Sequence, residues 1–167
     1  VLVRMCRGIQ SQLTYAMRFE AGTQPPAVTL ESGGGTCRDY ALLMMEGARA
    51  LGLAARFITG YVYDPVLDTQ QGGGDAAAAH AWMEVYLPGA GWMEFDPTNG
   101  IVGSDRLIRV AVARDPEQAM PITGSFVGTA GVAINAIVEV SVRARSREGG
   151  ADEGGERRGG SVNFNFH

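Results

Sequence analysis

The apolar residues of this chain keep a helical period up to Leu51 and a strand-like one from Ala55 onward, and that change of period restricts the fold more than any other feature. Leu2, Met5, Cys6, Ile9, Leu13 and Met17 recur at helical spacing, which predicts a first helix over residues 1–20 with a core thiol at Cys6. "AGTQPP" (21–26) reads as a loop, and residues 27–32 as a turn or short helical piece. A second helix is expected from Thr36 to Leu51, with Cys37, Tyr40, Ala41, Met44, Ala48 and Leu51 on one face and Gly52 as its stop. "ARFITGYVYD" (55–64) then reads as a strand, rich in β-branched and aromatic residues. "HAWMEVYL" (80–87) and "GWMEFDPT" (91–98) form a hairpin around Pro88-Gly89, and further strands are expected at 107–113 and 132–144. Helices followed by strands predict an α+β fold, with N-terminal helices packed on one mainly antiparallel β-sheet.

The chain has 167 residues, enough for one domain with a substantial core. Its 46% hydrophobic and 19% charged residues describe a soluble globular protein, and no apolar run reaches the ~20 residues of a membrane span. Arg4 and Arg7 interrupt the first apolar residues, so no signal-peptide pattern is present, and a start at Val1 reads as a piece of a longer chain. A net charge of -4, with no basic cluster before the tail, argues against nucleic acid as partner. All 14 basic residues are arginine. Two cysteines make no disulfide framework, so a reducing, cytoplasmic setting is expected. The glycine-bearing connection 64–79 is either a gate or a plain loop. Residues 146–160 hold too little apolar surface to fold, which makes 146–167 a disordered tail, with "SVNFNFH" open to a terminal strand.

Three residues carry candidate chemistry. If the hairpin turn centres on Pro88, opposed residue numbers sum to about 176, and His80 faces Asp96, Trp82 faces Glu94 and Glu84 faces Trp92. Any even sum keeps this set on one side of the sheet, because side chains alternate with period two. An imidazole beside a carboxylate gains a set tautomer and a more stable protonated form. Cys37 lies in the first turn of its helix, where free N–H groups and the macrodipole favour a thiolate. The glycines at 33–35 would let a substrate backbone approach, and the Cys37 N–H is a candidate oxyanion donor. Each residue also has a plainer reading alone: packing for Cys37, a turn for Asp96 before Pro97. Two His and two Cys lack zinc spacing, and "GGGTCRD" lacks the ending of a phosphate loop.

The segments "GGGTCRDYALLMMEGARALGLAARFITGYVY" and "HAWMEVYLPGAGWMEFDPTNG" resemble the bacterial transglutaminase-like superfamily, with similarity over roughly residues 5–145. The resemblance implies a papain-like catalytic core over 1–145 that lacks the β-rich N-terminal domain of many relatives. It implies Cys37 as nucleophile, His80 as base and Asp96 as orienting acid. The implied activity is acyl transfer or hydrolysis at amide or peptide bonds through a thioester. The partners are a peptide or protein substrate and, for transfer, an amine acceptor, with no cofactor, metal, nucleic acid or membrane. Other positions follow more loosely: Asp39 as a structural partner of Arg56 or the loop backbone, Arg38 as structural or at the cleft rim, Tyr15 as a second oxyanion donor, Trp82 and Trp92 as cleft wall or core. The alternative is a non-catalytic protein-binding module on the same fold.

Overall fold

Leu2–Gln12 form helix α1, which buries Cys6 and Ile9 and stops well short of residue 20. It stops because Thr14–Tyr15, a β-branched and an aromatic residue, leave the helix as strand β1. Met17, expected on the buried stripe, is therefore exposed. The structure is a computed structural model and describes residues 1–18, 20–63, 77–120, 127–128, 136–142 and 160–166. The remaining elements are α2 (Pro26–Ser32), β2 (Gly34–Gly35), α3 (Cys37–Ala50), β3 (Ala55–Tyr63), β4 (Ala77–Leu87), β5 (Gly91–Asp96), β6 (Ile101–Val102), β7 (Leu107–Ala113), a 3-10 turn at Pro116–Ala119, β8 (Ala136–Val142) and β9 (Gly160–Phe166). The connection 64–76 lies outside the described residues.

Strands β3 to β7 make one sheet in the order β6-β5-β4-β3-β7. β4 and β5 pair antiparallel, as do β5 and β6. Alternation sends Ala55 and Phe57 of β3, Met83 and Val85 of β4 and Phe95 of β5 into one cluster with Cys6 and Ile9 of α1 and Tyr40, Ala41, Met44, Met45 and Ala48 of α3. Each fully buried Phe or Met there contributes about 1.5–3 kcal/mol. The α+β expectation is therefore met: helices cover a mainly antiparallel sheet. Leu51 departs from its expected place, since it caps α3 and is exposed.

The hairpin register differs from the expected one. Paired residues, from Met83↔Phe95 to Leu87↔Gly91, sum to 178. The turn centres on Gly89, at φ 84°, with Pro88 before it and the Ala90 N–H donating to the Leu87 carbonyl. Proline then positive-φ glycine is the order a type II turn requires. Glu84 thus opposes Glu94, and Tyr86 opposes Trp92, but the even sum keeps the same set of side chains on one face.

The chain divides into two compact units, residues 1–61 with 79–123, and residues 62–78 with 124–167. In the second unit β8 pairs antiparallel with β9, from Ala136↔Phe166 to Val142↔Gly160. The five-stranded sheet does not include β8. Residues 160–166 take the strand alternative left open for "SVNFNFH", where polar and apolar residues alternate. Residues 143–159 lie outside the described residues.

Gly60 of β3 has no room for a side chain. A Cβ there would lie 2.0 Å from the Ile108 carbonyl oxygen of β7 and 2.8 Å from the Trp82 ring. Gly60→Ala is expected to cost about 3 kcal/mol in urea unfolding. Gly8→Ala in α1, whose Cβ would meet only Gln12 at 3.9 Å, is expected to gain about 0.5–1 kcal/mol.

Candidate active site

The site is built around the start of α3. Thr36 caps the helix from an extended conformation, and Cys37 is its first helical residue. Asp39, fully buried, accepts the Thr36 N–H and hydroxyl, both at 2.8 Å, and the Gln24 N–H at 2.8 Å. Arg18 grips the same carboxylate with Nε and Nη2, each at 3.0 Å. Burial pushes the Asp39 carboxyl up, but these donors outweigh it and hold it below the usual carboxylate range. Asp39 is thus partnered by Arg18 and loop backbone. Arg56, offered as its partner from the sequence, pairs with Glu84 on the sheet.

The three glycines before Cys37 serve the chain itself. Gly33, at φ 70°, ends α2 in the left-handed conformation. Gly34–Gly35 pair in parallel with Thr14–Tyr15, so close that a Cβ on Gly34 would sit 2.4 Å from the Thr14 carbonyl. A Cβ on Gly35 would meet Asp39 at 2.9 Å. At Gly34 and Gly35 the room expected for substrate backbone is filled by β1, Gln24 and Asp39.

His80 Nε2 donates to Asp96 Oδ2 at 2.9 Å, with both residues buried. Asp96 also accepts the N–H groups of Thr98 (3.0 Å) and Asn99 (3.2 Å) and the Asn99 Nδ2 amide (2.7 Å). Asn99 escaped the sequence reading. Its signal is "DPTNG", an aspartate opening a turn whose following N–H groups return to its own carboxylate. Burial pushes the Asp96 carboxyl up, but His80 and Asn99 outweigh it and lower it.

With Nε2 held by Asp96, Nδ1 is the His80 nitrogen left for the hydrogen bond with Cys37. Burial would lower the imidazole pKa, yet the bonds to Asp96 and Cys37 and their negative charge raise it to about 9. Burial alone would raise the Cys37 thiol. The hydrogen bond and charge of His80, the Ala81 N–H and the Arg38 charge bring it below the ordinary thiol value. The two shifts act on one interacting pair, and both favour thiolate with imidazolium. Cys6 is the contrast: fully buried, donating to the Asp96 carbonyl at 3.4 Å, its pKa raised to about 11 by burial and the Asp96 charge.

The other expected positions divide. The β1–β2 pairing brings Tyr15 beside Cys37: burial, the Cys37 charge and a hydrogen bond with Cys37 raise the tyrosine pKa. Its ring stands edge-on to Tyr40 at 6.3 Å. Trp82 does not line an open cleft. It is fully buried, lies under Gly60 and stacks against His80 at 6.0 Å, backing the imidazole. Trp92 opposes Tyr86, six residues along β4 from His80, or about 20 Å, and lies under the Arg56 guanidinium at 3.9 Å. Trp92 is therefore remote from Cys37, and alternation alone could not tell it from Trp82.

The family model of the transglutaminase-like superfamily matches residues 2–97. An uncharacterized protein of Mycobacterium leprae is 30% identical over 140 residues, covering 84% of this chain and 49% of its own length. One of Mycobacterium tuberculosis is 30% identical over 161 residues, covering 90% and 49%. The chain thus spans about half the length of the curated relatives it matches. Among solved structures, a candidate cysteine protease from Cytophaga hutchinsonii is similar with a TM-score of 0.57 and 27% identity, over 71% of this chain and 37% of that one. Among the described residues no helix is long and apolar enough to cross a membrane.

Asp39→Ala would leave Arg18, only 19% exposed at its side chain, without its carboxylate. The expected loss is about 3 kcal/mol in urea unfolding, with faster proteolysis between residues 18 and 24.

Proposed function

The chain belongs to the transglutaminase-like superfamily, and on that footing we propose that it is a thiol-dependent acyltransferase or hydrolase acting on amide or peptide bonds. One observation carries the reading: a helix-start thiol with a lowered pKa meets an imidazole whose other nitrogen is bound by a buried carboxylate at 2.9 Å.

The Cys37 thiolate attacks the substrate carbonyl carbon. The developing oxyanion takes hydrogen bonds from the Cys37 N–H, which in its absence meets the Tyr15 oxygen, and from the Tyr15 hydroxyl. As the tetrahedral species collapses, the C–N bond breaks, and the His80 imidazolium gives its proton to the departing amine. A thioester on Cys37 and a neutral imidazole remain. His80 then takes a proton from the acceptor, water or a primary amine, as that acceptor attacks the thioester and the thiolate leaves. Asp96 keeps Nε2 protonated throughout, so Nδ1 is the nitrogen that exchanges protons. Water as acceptor gives a hydrolase, an amine a transferase. The chain holds no lysine, so an acceptor amine comes from another molecule or from its own N-terminus. The chemistry calls for no cofactor. It does need a free thiol at Cys37, which a reducing cytoplasmic setting would preserve.

A glutamine-containing peptide offered with a primary amine and followed by mass spectrometry tests this. An amine adduct identifies transfer; conversion of glutamine to glutamate, or a cut chain, identifies hydrolysis. Cys37→Ala and His80→Ala are each expected to lower the rate by roughly 10,000-fold. No turnover by the wild type, with Cys37 labelled by iodoacetamide no faster than Cys6, would sink the reading. The pH profile of kcat/KM is expected to be bell-shaped. Its acid limb follows protonation of the thiolate below the ordinary thiol range. Its alkaline limb falls near pH 9, as His80 loses the proton the leaving amine requires.

A further inference from the structure

Four arginines among the described residues are half-buried: Arg18, Arg38, Arg49 and Arg56. Three of them meet carboxylates, Arg18 on Asp39, Arg49 on Glu46 and Asp115, and Arg56 on Glu84. Arg38 has no hydrogen-bond or ion-pair partner among the described residues. It follows Cys37 directly, in the first turn of α3. From that position its charge is felt at both the Cys37 thiol and the Tyr15 hydroxyl. The nearby carboxylates are already engaged: Asp96 by His80 and Asn99, Asp39 by Arg18, Gln24 and Thr36. Arg38 is only part-exposed, and among the described residues no carboxylate neutralises its charge. Its planar fork of donors matches a carboxylate.

We propose that Arg38 binds a carboxylate carried by the acyl donor, which makes acidic peptide segments the preferred substrates of the Cys37 site. The proposal rests on the acyl-transfer reading and adds to it the charge of the substrate. The carboxylate belongs either to an Asp or Glu side chain near the scissile carbonyl or to a chain terminus.

The test alkylates Cys37 of the full chain with iodoacetate, an anion, and with iodoacetamide, its neutral counterpart, at one pH and low salt. Both reagents meet the same thiolate, so the ratio of their rate constants is independent of how much thiolate is present. Arg38→Gln is expected to lower the iodoacetate-to-iodoacetamide ratio at least about fivefold. Arg38→Lys, which keeps the charge and loses the fork, is expected to fall between. The urea midpoint of each variant reports folding in parallel. Peptide protection of Cys37 against iodoacetamide then identifies the source. Glutamate beside the reactive glutamine, or a free terminal carboxylate, is expected to protect at lower concentration than the fully amidated neutral peptide, and Arg38→Gln to abolish the difference. A ratio within twofold of wild type in Arg38→Gln, or equal protection by acidic and neutral peptides, would overturn the proposal and leave the acyl-transfer reading standing. Wild-type Cys37 that labels no faster than Cys6 would overturn both.

Discussion

One buried carboxylate, Asp39, ties together the pieces from which the site is made. It receives donors from Arg18, from the Gln24 backbone and from Thr36, three points on separate stretches of chain. A charge taken out of water is tolerable only when its lone pairs are filled this completely. The consequence is geometric. With Thr36 held, α3 begins at Cys37, which puts the thiol in the first turn of the helix. With Arg18 held, the stretch after β1 is anchored three residues from Tyr15. The glycines between α2 and α3 allow this convergence, since a side chain on Gly34 or Gly35 would strike Thr14 or Asp39.

The second support of the site is the sheet. A strand separates neighbours onto opposite faces, so β4 sends Ala81, Met83 and Val85 into the helix-packed core while Trp82 and Glu84 are buried on the other side. His80 sits at the end of β4 nearer the α3 start, where its ring is stacked on Trp82, bonded to Asp96 and turned by that bond toward Cys37. Asp96 is immobilised by its own turn through Thr98 and Asn99. The Cys6 thiol donates to the Asp96 carbonyl, so α1 also helps hold the strand that presents the acid. A thiol protonated up to about 11 serves there as a donor, while the lowered thiol of Cys37 is poised to react.

Much of this was legible in the linear order of residues. Period change alone separates α3 from β3, the strand at 107–113 coincides with β7, and even-sum pairing puts His80 and Asp96 on one face whichever residue centres the turn. The errors have local physical causes. The helical stripe of α1 runs on to Met17 in the sequence because a polar-apolar pattern carries no record of a strand partner, and Thr14–Tyr15 find one in Gly34–Gly35. The turn centres one residue later than Pro88 suggests because Pro88 and Gly89 both signal turns, and only the sheet pairing distinguishes them. Asn99 stayed hidden because a turn asparagine is common, and its importance depends on the carboxylate it folds back onto.

By itself, then, the sequence determined the class of fold, the positions of α3 and the hairpin, and the three residues whose chemistry makes sense together, because periodicity and side-chain type are local properties. Only the tertiary structure decided that Asp39 pairs with Arg18 and not Arg56, that Trp82 is buried behind His80 while Trp92 is remote, and that Arg38 has no carboxylate partner among the described residues. Those outcomes depend on which distant groups share one small volume. The competition among burial, charge pairing and steric room that settles them exists only once the chain has closed on itself.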